Sequence, residues 1–312
     1  IDWAVNDQCN IGLDYITDGE AYRENMYWFY QLRIDGVNSN NKKYKQFTVG
    51  GSTDDVDLSK AHPLVKEKGG FGIECAVVED EIKNQSWDLA SKWKRAQEAA
   101  KNRAVVKQTI TGPHMLSRFS VNNRLDLYKD DKALAFAYSS CIKDEIEQLK
   151  NLGCERIQLD EPVLTEAPHE CTWAADVIND IVDSFPTLHF SLHICGGNAH
   201  RKRGYFGKYQ DMIDGLKKLK VHELHLEHCT LHYDMLEVFD LYEYNGILSF
   251  GVIDQRSDEL EDVDTVHKRV EPVLEKFGSE RILLSSECGF GHVPIEITRA
   301  KLNRLVEAAK KY

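Results

Sequence analysis

The sequence lacks the features that mark several special classes of protein. No segment approaches the roughly 20 consecutive apolar residues of a transmembrane helix, and neither a signal peptide nor a lipidation motif is visible. Basic residues are in the minority, with 39 Lys and Arg against 51 Asp and Glu and a formal net charge of −12. Because phosphate binding needs a basic face, we expect neither nucleic acid nor a membrane as a partner.

The sequence also has no cysteine-rich segment. Its eight cysteines are scattered over 312 residues, which is not the pattern of a small secreted domain held by disulfides. Reduced thiols in a cytoplasmic protein are the better interpretation. Neither a Gly/Ser-rich linker nor an internal repeat divides the chain, so we expect a single domain over residues 1–312.

Short apolar segments alternate with amphipathic helical segments, which predicts a parallel α/β fold. Seven strands are predicted, at residues 13–20, 105–112, 156–162, 189–195, 223–227, 246–254 and 281–289. An open doubly wound sheet is the alternative, but such a sheet usually carries a Gly-rich phosphate loop, and no GxGxxG or GxxxxGK[ST] is present. The pattern therefore favours a (β/α)8 TIM barrel.

A closed barrel of this type needs eight strands. Because the chain starts at Ile1 without an initiator Met, we expect the first strand to be missing from the N-terminus. Residues 36–52, which are rich in Asn, Gly and Lys, are interpreted as a long loop or short hairpin. Residues 69–81 are interpreted as an extra strand outside the barrel.

Polar side chains stand at the predicted carboxyl ends of the strands, where a barrel of this type builds its active site. They are Glu20, Asp160, Glu161, His193, Cys195, Glu227, Asp254 and Cys288. Zinc in proteins is held by thiolate, imidazole and carboxylate groups, usually four in a tetrahedron. Three strand ends supply such a set of ligands: His193, Cys195, Glu227 and Cys288. Side chains alternate along a strand, so His193 and Cys195 face the same way.

Some of these assignments leave alternatives. Cys229 shares the predicted face of Glu227 and is an alternative fourth ligand. Cysteines away from the strand ends, such as Cys141, are interpreted as small buried hydrophobes. The basic tract at residues 201–203 is interpreted as a solvated run of charge in preference to a site for an anionic group.

With these residues in view, the chain resembles the catalytic barrel of the cobalamin-independent methionine synthase family, part of the uroporphyrinogen decarboxylase-like superfamily. The resemblance covers nearly the whole chain. It rests on six segments in order: LDYITDGEAYRENMYWF, VVKQTITGP, IQLDEP, HICGGN, ELHLE and SSECGFG. The fifth segment is similar to the family's strand with a ligand glutamate, and the fourth and sixth to its two zinc motifs.

The resemblance implies a zinc-dependent methyltransferase that transfers a methyl group to the thiol of homocysteine to form methionine. It assigns zinc to the four residues already selected, His193, Cys195, Glu227 and Cys288. It assigns Glu20 and Asp160 to the amino group of homocysteine, and carboxylates suit an ammonium ion. The family's first strand also supplies a serine to the substrate carboxylate, and this chain begins after that strand.

The residues that handle the methyl donor in the family are less well matched in this chain. Where the family has a histidine as the acid for methyl transfer from folate, this chain has Arg256, which stays protonated and is a poor general acid. His114 and His292 are the candidates to replace that acid. A tryptophan near the family's folate surface corresponds to Phe119. The donor is therefore open among methyl-folate, another methylated small molecule and a methyl group delivered by a partner protein.

Two other functions remain as alternatives. One is zinc-dependent alkyl transfer to another thiol, such as coenzyme M. Glu20 and Asp160 argue against it, because that sulfonate thiol has no ammonium group to pair with them. The other is a decarboxylase without metal, like the uroporphyrinogen branch of the superfamily, which metal analysis would distinguish.

Overall fold

All seven predicted barrel strands form. The computed structural model describes residues 1–48, 70–231 and 233–312. The barrel strands are β1 (Tyr15–Ile16), β4 (Val105–Val106), β5 (Gln108–Thr111), β7 (Arg156–Asp160), β8 (His189–Ile194), β9 (Glu223–Glu227), β10 (Ile247–Ile253) and β11 (Ile282–Ser286). The second predicted strand is thus split in two, as β4 and β5, and each part pairs with a different neighbour.

The barrel strands are all parallel, and they follow one another in chain order. β1 pairs with β4, and β5 begins a six-stranded run that continues through β7, β8, β9 and β10 to β11. Asp160 lies opposite His193 in this register, and Glu227 lies opposite Gly251. The carboxyl ends of the strands therefore meet at one face, as the barrel prediction requires.

The two outer strands of this order are β1 and β11, and no pairing joins them within the described residues. The helices behind them do meet there. Asp7 accepts a hydrogen bond from Arg299 Nε at 2.8 Å, which ties α1 (Asp2–Ile11) to α10 (Ile295–Ala309). The expectation of a further strand before residue 13 stays a prediction.

Helices lie between the strands and bury one face against the sheet. The remaining described helices are α2 (Trp28–Gln31), α3 (Leu89–Ala100), α4 (Pro113–Arg118), α5 (Asp131–Asn151), α6 (Cys171–Ser184), α7 (Ile213–Leu216), α8 (Val238–Leu241) and α9 (Val263–Phe277). In α5 one apolar face is buried, and Asp130 caps the start of the helix by accepting a hydrogen bond from Ala133 N. Gly153, two residues after the helix, has φ +91°, which a glycine adopts without strain. None of the described helices is both long and apolar enough to cross a bilayer.

A long antiparallel arm stands beside the barrel. It consists of β2 (Ile34–Thr48) and β3 (Gly70–Asn84), and β6 (Ser120–Asn122) pairs with β3 in parallel. The interpretation of residues 36–52 as a loop or short hairpin was wrong up to residue 48, and residues 49–52 lie outside the described residues. The extra strand predicted at 69–81 is confirmed from residue 70 onward and extends to Asn84.

The arm contacts the loops at the carboxyl face of the barrel. Glu166, in the loop after β7, accepts a hydrogen bond from Thr48 N at 3.0 Å. Phe47 packs edge-on against Phe119, with ring centroids 4.8 Å apart. These contacts bring the arm to the face on which the predicted site lies.

Candidate metal and substrate site

Three of the four predicted zinc ligands lie together at the carboxyl ends of β8 and β11. His193, Cys195 and Cys288 each offer one ligand atom, and these atoms lie within 4.8 Å of one another. The sulfurs of Cys195 and Cys288 are 3.9 Å apart. Because tetrahedral zinc binds sulfur at about 2.3 Å, ligands of one ion lie about this far apart. Two thiols and an imidazole are a donor set that suits zinc.

His193 is held in place by groups on both sides of its ring. Nδ1 lies 3.0 Å from Asp160 Oδ1, and Nε2 lies 3.2 Å from the carbonyl oxygen of Glu287. Burial on its own would lower the pKa of His193, but the hydrogen bond to Asp160 and the nearby negative charges raise it to about 9. A carboxylate at the second nitrogen of a ligand histidine fixes its tautomer and orientation. Asp160 therefore contacts a predicted metal ligand directly, a relation that the sequence did not show.

Cys288 has a thiol that is hard to ionise without a cation. Its hydrogen bond with Cys195, followed by burial, raises the pKa of Cys288 well above the usual range. Because the thiolate is the form that binds metal, metal binding must release the proton. A cation that bound this cluster would therefore compete with protons.

Glu227, the fourth predicted ligand, lies apart from this group. Its carboxylate is fully buried between two guanidinium groups. Arg203 Nη2 lies 2.5 Å from Oε2, and Arg256 Nη2 contacts Oε1. Burial alone would raise the pKa of Glu227, but the charges of Arg203 and Arg256 outweigh it and hold that pKa below its usual range.

Arg256 is also bound to a second carboxylate. Its Nη1 lies 3.0 Å from Glu287 Oε2, and its Nη2 donates to the carbonyl oxygen of Gly197 at 2.7 Å. Glu287 is fully buried and also accepts hydrogen bonds from the backbone nitrogens of His228 and Thr230. Arg256, the residue predicted to lie on the methyl-donor side, is therefore already bound to neighbouring protein groups.

A glycine makes room for this arrangement. A side chain at Gly196 would meet Arg203 Nη1 at 2.4 Å and the carbonyl oxygen of Tyr205 at 2.7 Å. The glycine after Cys195 therefore lets Arg203 reach Glu227. The tract at residues 201–203 was interpreted as solvated, and this was wrong for Arg203, which is 8% exposed.

Glu20 and Asp160 are close enough to interact through their charges. Burial raises the pKa of Glu20, whereas the charge of Arg23 lowers it. The negative charge of Asp160 adds to the rise, so the two carboxylates lie within electrostatic reach of each other. Arg23 Nη1 lies 3.2 Å from Glu20 Oε1, and Thr109 donates a hydrogen bond to the same oxygen. The Glu20 side chain remains 37% exposed, so it is open to a ligand.

The two histidines proposed as replacement acids have different surroundings. His114 is fully buried, and its Nε2 lies 2.8 Å from Glu170 Oε2 with Glu161 on its other side. It holds loops together, and we assign it no catalytic role. His292 is exposed in the loop after β11, with its ring 5.4 Å from that of His200.

Two further predicted positions are covered by protein. Cys229, the alternative fourth ligand, lies outside the three-residue group, and its thiol faces Glu287. Burial, followed by the charge of Glu287, raises the pKa of that thiol well above the usual range. Phe119 is 3% exposed beneath Phe47 and Tyr27, so it offers no open aromatic surface.

Sequence reasoning missed three residues at the site: Arg203, Glu287 and Arg23. Glu287 had one available signal, since it directly precedes the zinc-motif cysteine at the end of a strand. Arg203 was visible only as part of the basic tract at residues 201–203. Arg23 lies three residues after its partner Glu20, and this spacing was an available signal.

Comparison with known proteins identifies the family of this chain. Residues 65–311 match the family described as "Cobalamin-independent synthase, Catalytic domain". Methionine synthase from Saccharolobus islandicus is 27% identical over 307 residues, which cover 98% of this chain and 81% of that protein. Methionine synthase from Sulfolobus acidocaldarius is 28% identical over 303 residues, covering 97% of this chain and 78% of that protein.

Solved structures show the same fold. A B12-independent methionine synthase from Shewanella sp. W3-18-1, in complex with selenomethionine, superposes with a TM-score of 0.81 at 19% identity and covers 99% of this chain and 85% of that one. A putative vitamin-B12 independent methionine synthase from Listeria monocytogenes gives a TM-score of 0.74 at 20% identity, covering 99% and 85%. The chain therefore belongs to the family of cobalamin-independent synthase catalytic domains and is a methyltransferase of that type with the (β/α)8 fold.

Proposed function

We propose that this protein is a zinc-dependent methyltransferase that forms methionine by methylating the thiol of homocysteine. The observation that carries the proposal is the convergence of His193, Cys195 and Cys288 at the strand ends, beside a mouth lined by Glu20 and Asp160. We also propose that residues 1–312 act as one domain, since one strand order and the contact between α1 and α10 join its two ends. All eight cysteines are free, which supports a cytoplasmic location.

The donor set fits zinc by its chemistry. The ion would be held by His193, Cys195 and Cys288. Asp160 would fix the orientation of the His193 imidazole through its contact with Nδ1. When bound, zinc lowers the pKa of a coordinated thiol, so that the sulfur of homocysteine becomes nucleophilic at neutral pH. A free thiol with a pKa of about 8.5 would be only a few per cent ionised there.

The carboxylates at the mouth would select the amino acid part of the acceptor. Asp160 Oδ1 accepts hydrogen bonds from Gln158 and His193, and within the described residues no hydrogen bond reaches its Oδ2. That oxygen and the exposed side of Glu20 can take the substrate ammonium group. The selenomethionine in the Shewanella structure supports an amino acid of this kind as the product.

The residues on the donor side favour a methyl donor whose leaving group needs no proton from the protein. Arg256, in the position of the family's acid, keeps its charge and is bound to Glu227 and Glu287. His114 is buried away from the mouth, and Phe119 is covered by the arm. We therefore propose that methyl-folate is a poor donor for the isolated protein, and that another methylated molecule or a partner protein supplies the methyl group.

Metal analysis followed by product analysis tests the proposal. The purified protein should bind about one equivalent of zinc and form methionine from homocysteine with at least one member of a panel of methyl donors. The matched acceptor is 3-mercaptopropionate, which has a thiol and a carboxylate but no amine, and it should react far more slowly. Zinc binding with equal use of the two thiols would support the coenzyme M type of alternative. Absence of zinc would support the decarboxylase alternative.

A further inference from the structure

Arg23 is a buried cation beside Glu20, the carboxylate assigned above to the amino group of the substrate. Its side chain is 4% exposed, and its guanidinium carbon lies 5.6 Å from the ring centre of Tyr22 and 5.7 Å from those of Phe29 and Tyr30. Aromatic rings attract a guanidinium group and fix its position. Because a buried cation is costly without an anion, Arg23 depends on its ion pair with Glu20.

The contacts of Arg23 form a closed triangle with Glu20 and Thr109. Arg23 Nη1 lies 3.2 Å from Glu20 Oε1, and Arg23 Nη2 donates to Thr109 Oγ1 at 3.2 Å and to the carbonyl oxygen of Thr109 at 2.7 Å. A guanidinium group can only donate, so the threonine hydroxyl accepts from it and directs its own proton elsewhere. That proton is donated to Glu20 Oε1. Arg23 therefore holds one oxygen of Glu20 both directly and through Thr109.

The triangle leaves the second oxygen of Glu20 available. In the described part of the chain, no hydrogen bond or ion pair reaches Glu20 Oε2. Asp160 has the same asymmetry: Gln158 and His193 both contact its Oδ1, and its Oδ2 has no such contact among the described residues. Each carboxylate thus presents one unbound oxygen, and a substrate ammonium group has three protons to donate.

The backbone at Glu20 is also held in an unusual conformation. Its φ is +53°, in the left-handed region that residues other than glycine adopt at a cost. Glu20 N donates to Asp18 Oδ1 at 2.9 Å, and Arg23 N donates to the carbonyl oxygen of Glu20, also at 2.9 Å. Such strain persists where the surrounding contacts fix the residue, and it is common at functional sites. Arg23 therefore restrains Glu20 through its backbone as well as its side chain.

We propose that Arg23 is a positioning residue that holds Glu20 Oε1, leaves Glu20 Oε2 to the substrate ammonium group, and so determines selectivity for an amino-acid thiol. The charge of Arg23 also opposes the rise in the pKa of Glu20 that burial causes, which favours the ionised carboxylate. A protonated Glu20 could not form an ion pair with an ammonium group. The inference rests on the proposed function, because it assumes that Glu20 binds the amino group of the acceptor.

The first test compares homocysteine with 3-mercaptopropionate, which has no amine, by calorimetry on zinc-loaded Arg23→Gln. The dissociation constant of homocysteine should rise by about tenfold or more, and that of 3-mercaptopropionate by less than about threefold, because only the ammonium group loses a charged contact. Arg33→Gln is the matched control: Arg33 also pairs with a glutamate and lies over Phe29, but its side chain is 35% exposed. An Arg23→Gln protein that keeps the wild-type preference between the two thiols would overturn the inference.

A double-mutant cycle shows whether Arg23 acts through Glu20. Glu20→Gln alone leaves Arg23 buried without its anion, whereas Arg23→Gln/Glu20→Gln removes both charges. If Arg23 acts through Glu20, the double variant should bind homocysteine within about threefold of Glu20→Gln. Losses that multiply in the double variant would show that Arg23 acts independently of Glu20 and would contradict the proposed role.

Substitution of a buried arginine can impair folding, so Thr109→Val tests the triangle at its neutral member. It removes the hydroxyl group that donates to Glu20 Oε1 and retains the branched shape of the side chain. Homocysteine binding should weaken by about three- to tenfold, with a smaller change for 3-mercaptopropionate. Arg23→Lys keeps the charge without the planar fork and should weaken homocysteine binding less than Arg23→Gln. Equal losses for both thiols in Thr109→Val would count against the inference.

The wild-type protein separates this inference from the proposed function. Failure of the wild type to bind zinc, or equal binding of the two thiols by the wild type, would refute the proposed function. A preference for homocysteine in the wild type that Arg23→Gln retains would refute this inference alone. Zinc affinity in Arg23→Gln should stay within about threefold of the wild type, and a larger loss would contradict a role confined to Glu20.

Discussion

Asp160 and Glu227 are both buried acidic residues at the carboxyl ends of parallel strands, β7 and β9, which lie on either side of β8, yet their surroundings are opposite. Asp160 is bound by the neutral amide of Gln158 and by the imidazole of His193. Glu227 is bound by two guanidinium groups. The first carboxylate keeps capacity for a cationic ligand, whereas the second is neutralised by the protein. Position on a barrel strand therefore brings a carboxylate to the site, and its neighbours decide what it can bind.

Removal of a thiol ligand should have the largest effect, because it disrupts the metal site between these two carboxylates. We expect Cys195→Ala to lower zinc affinity by more than about 100-fold, beyond the range seen for outer-shell partners. Equilibrium competition with a chelator measures this. Cys154→Ala, a buried cysteine outside the metal group, is the control and should retain zinc. Equal zinc affinity in both variants would contradict the assignment.

Asp160→Asn should weaken homocysteine binding by about 2–5 kcal/mol, because the substrate ammonium would lose a charged partner. The structure adds a second effect, a fall in zinc affinity of about 10–100-fold, since Asp160 orients His193. Calorimetry with the zinc-loaded protein and chelator competition measure the two effects separately. Glu20→Gln is the matched comparison: it should weaken homocysteine binding and leave zinc affinity unchanged. A loss of zinc affinity in Glu20→Gln would contradict the different roles given to Glu20 and Asp160.

Zinc affinity should depend on pH through the same contact. Without metal, the hydrogen bond to Asp160 helps to raise the pKa of His193 to about 9, and zinc must displace that proton. The proton of Cys288, whose pKa is raised, makes affinity fall with decreasing pH over the whole working range. Displacement of the His193 proton should steepen this fall below about pH 9, by up to about tenfold per pH unit. In Asp160→Asn the added slope should begin at a lower pH, because the group that raises the pKa of His193 is gone. An unchanged pH profile in that variant would show that Asp160 does not tune His193.

The smallest expected effect concerns the methyl donor. It depends on Arg256, one of the two arginines that contact Glu227. Arg256 cannot give up a proton at working pH, so methyl transfer from methyl-tetrahydrofolate triglutamate should be slower than roughly 1 per second, below the median enzyme rate of about 10 per second. Single-turnover formation of methionine by the zinc-loaded protein alone measures this. The same assay with a donor whose leaving group needs no proton is the control. Ordinary turnover with methyl-folate would show that Arg256 does not impair that donor.

Much of the fold could be predicted because it depends on local pattern. The barrel strands end at polar residues, and the spacing of His193 and Cys195 alone places two ligands on one face. Of the arm, only β3 was predicted. The strand at residues 36–48 was not recognised, because it is polar and pairs with a strand that begins only at Gly70.

The ion pairs at the site could not be predicted, because they join distant loops. Arg203 and Arg256 both meet Glu227 only after three different strand ends have been brought together. In the sequence, Arg203 belongs to a run of basic residues of the kind that usually lies in solvent. Its burial depends on the space left by Gly196, which no pattern of charge reveals.

The central claim is that this site binds the acceptor thiol directly to a metal held by two cysteines and a histidine. Zinc X-ray absorption on the loaded protein, with and without homocysteine, tests it most directly. The account predicts two sulfur ligands at about 2.3 Å in the free protein and three when homocysteine is saturating. A sulfur count that stays at two with saturating homocysteine would contradict it.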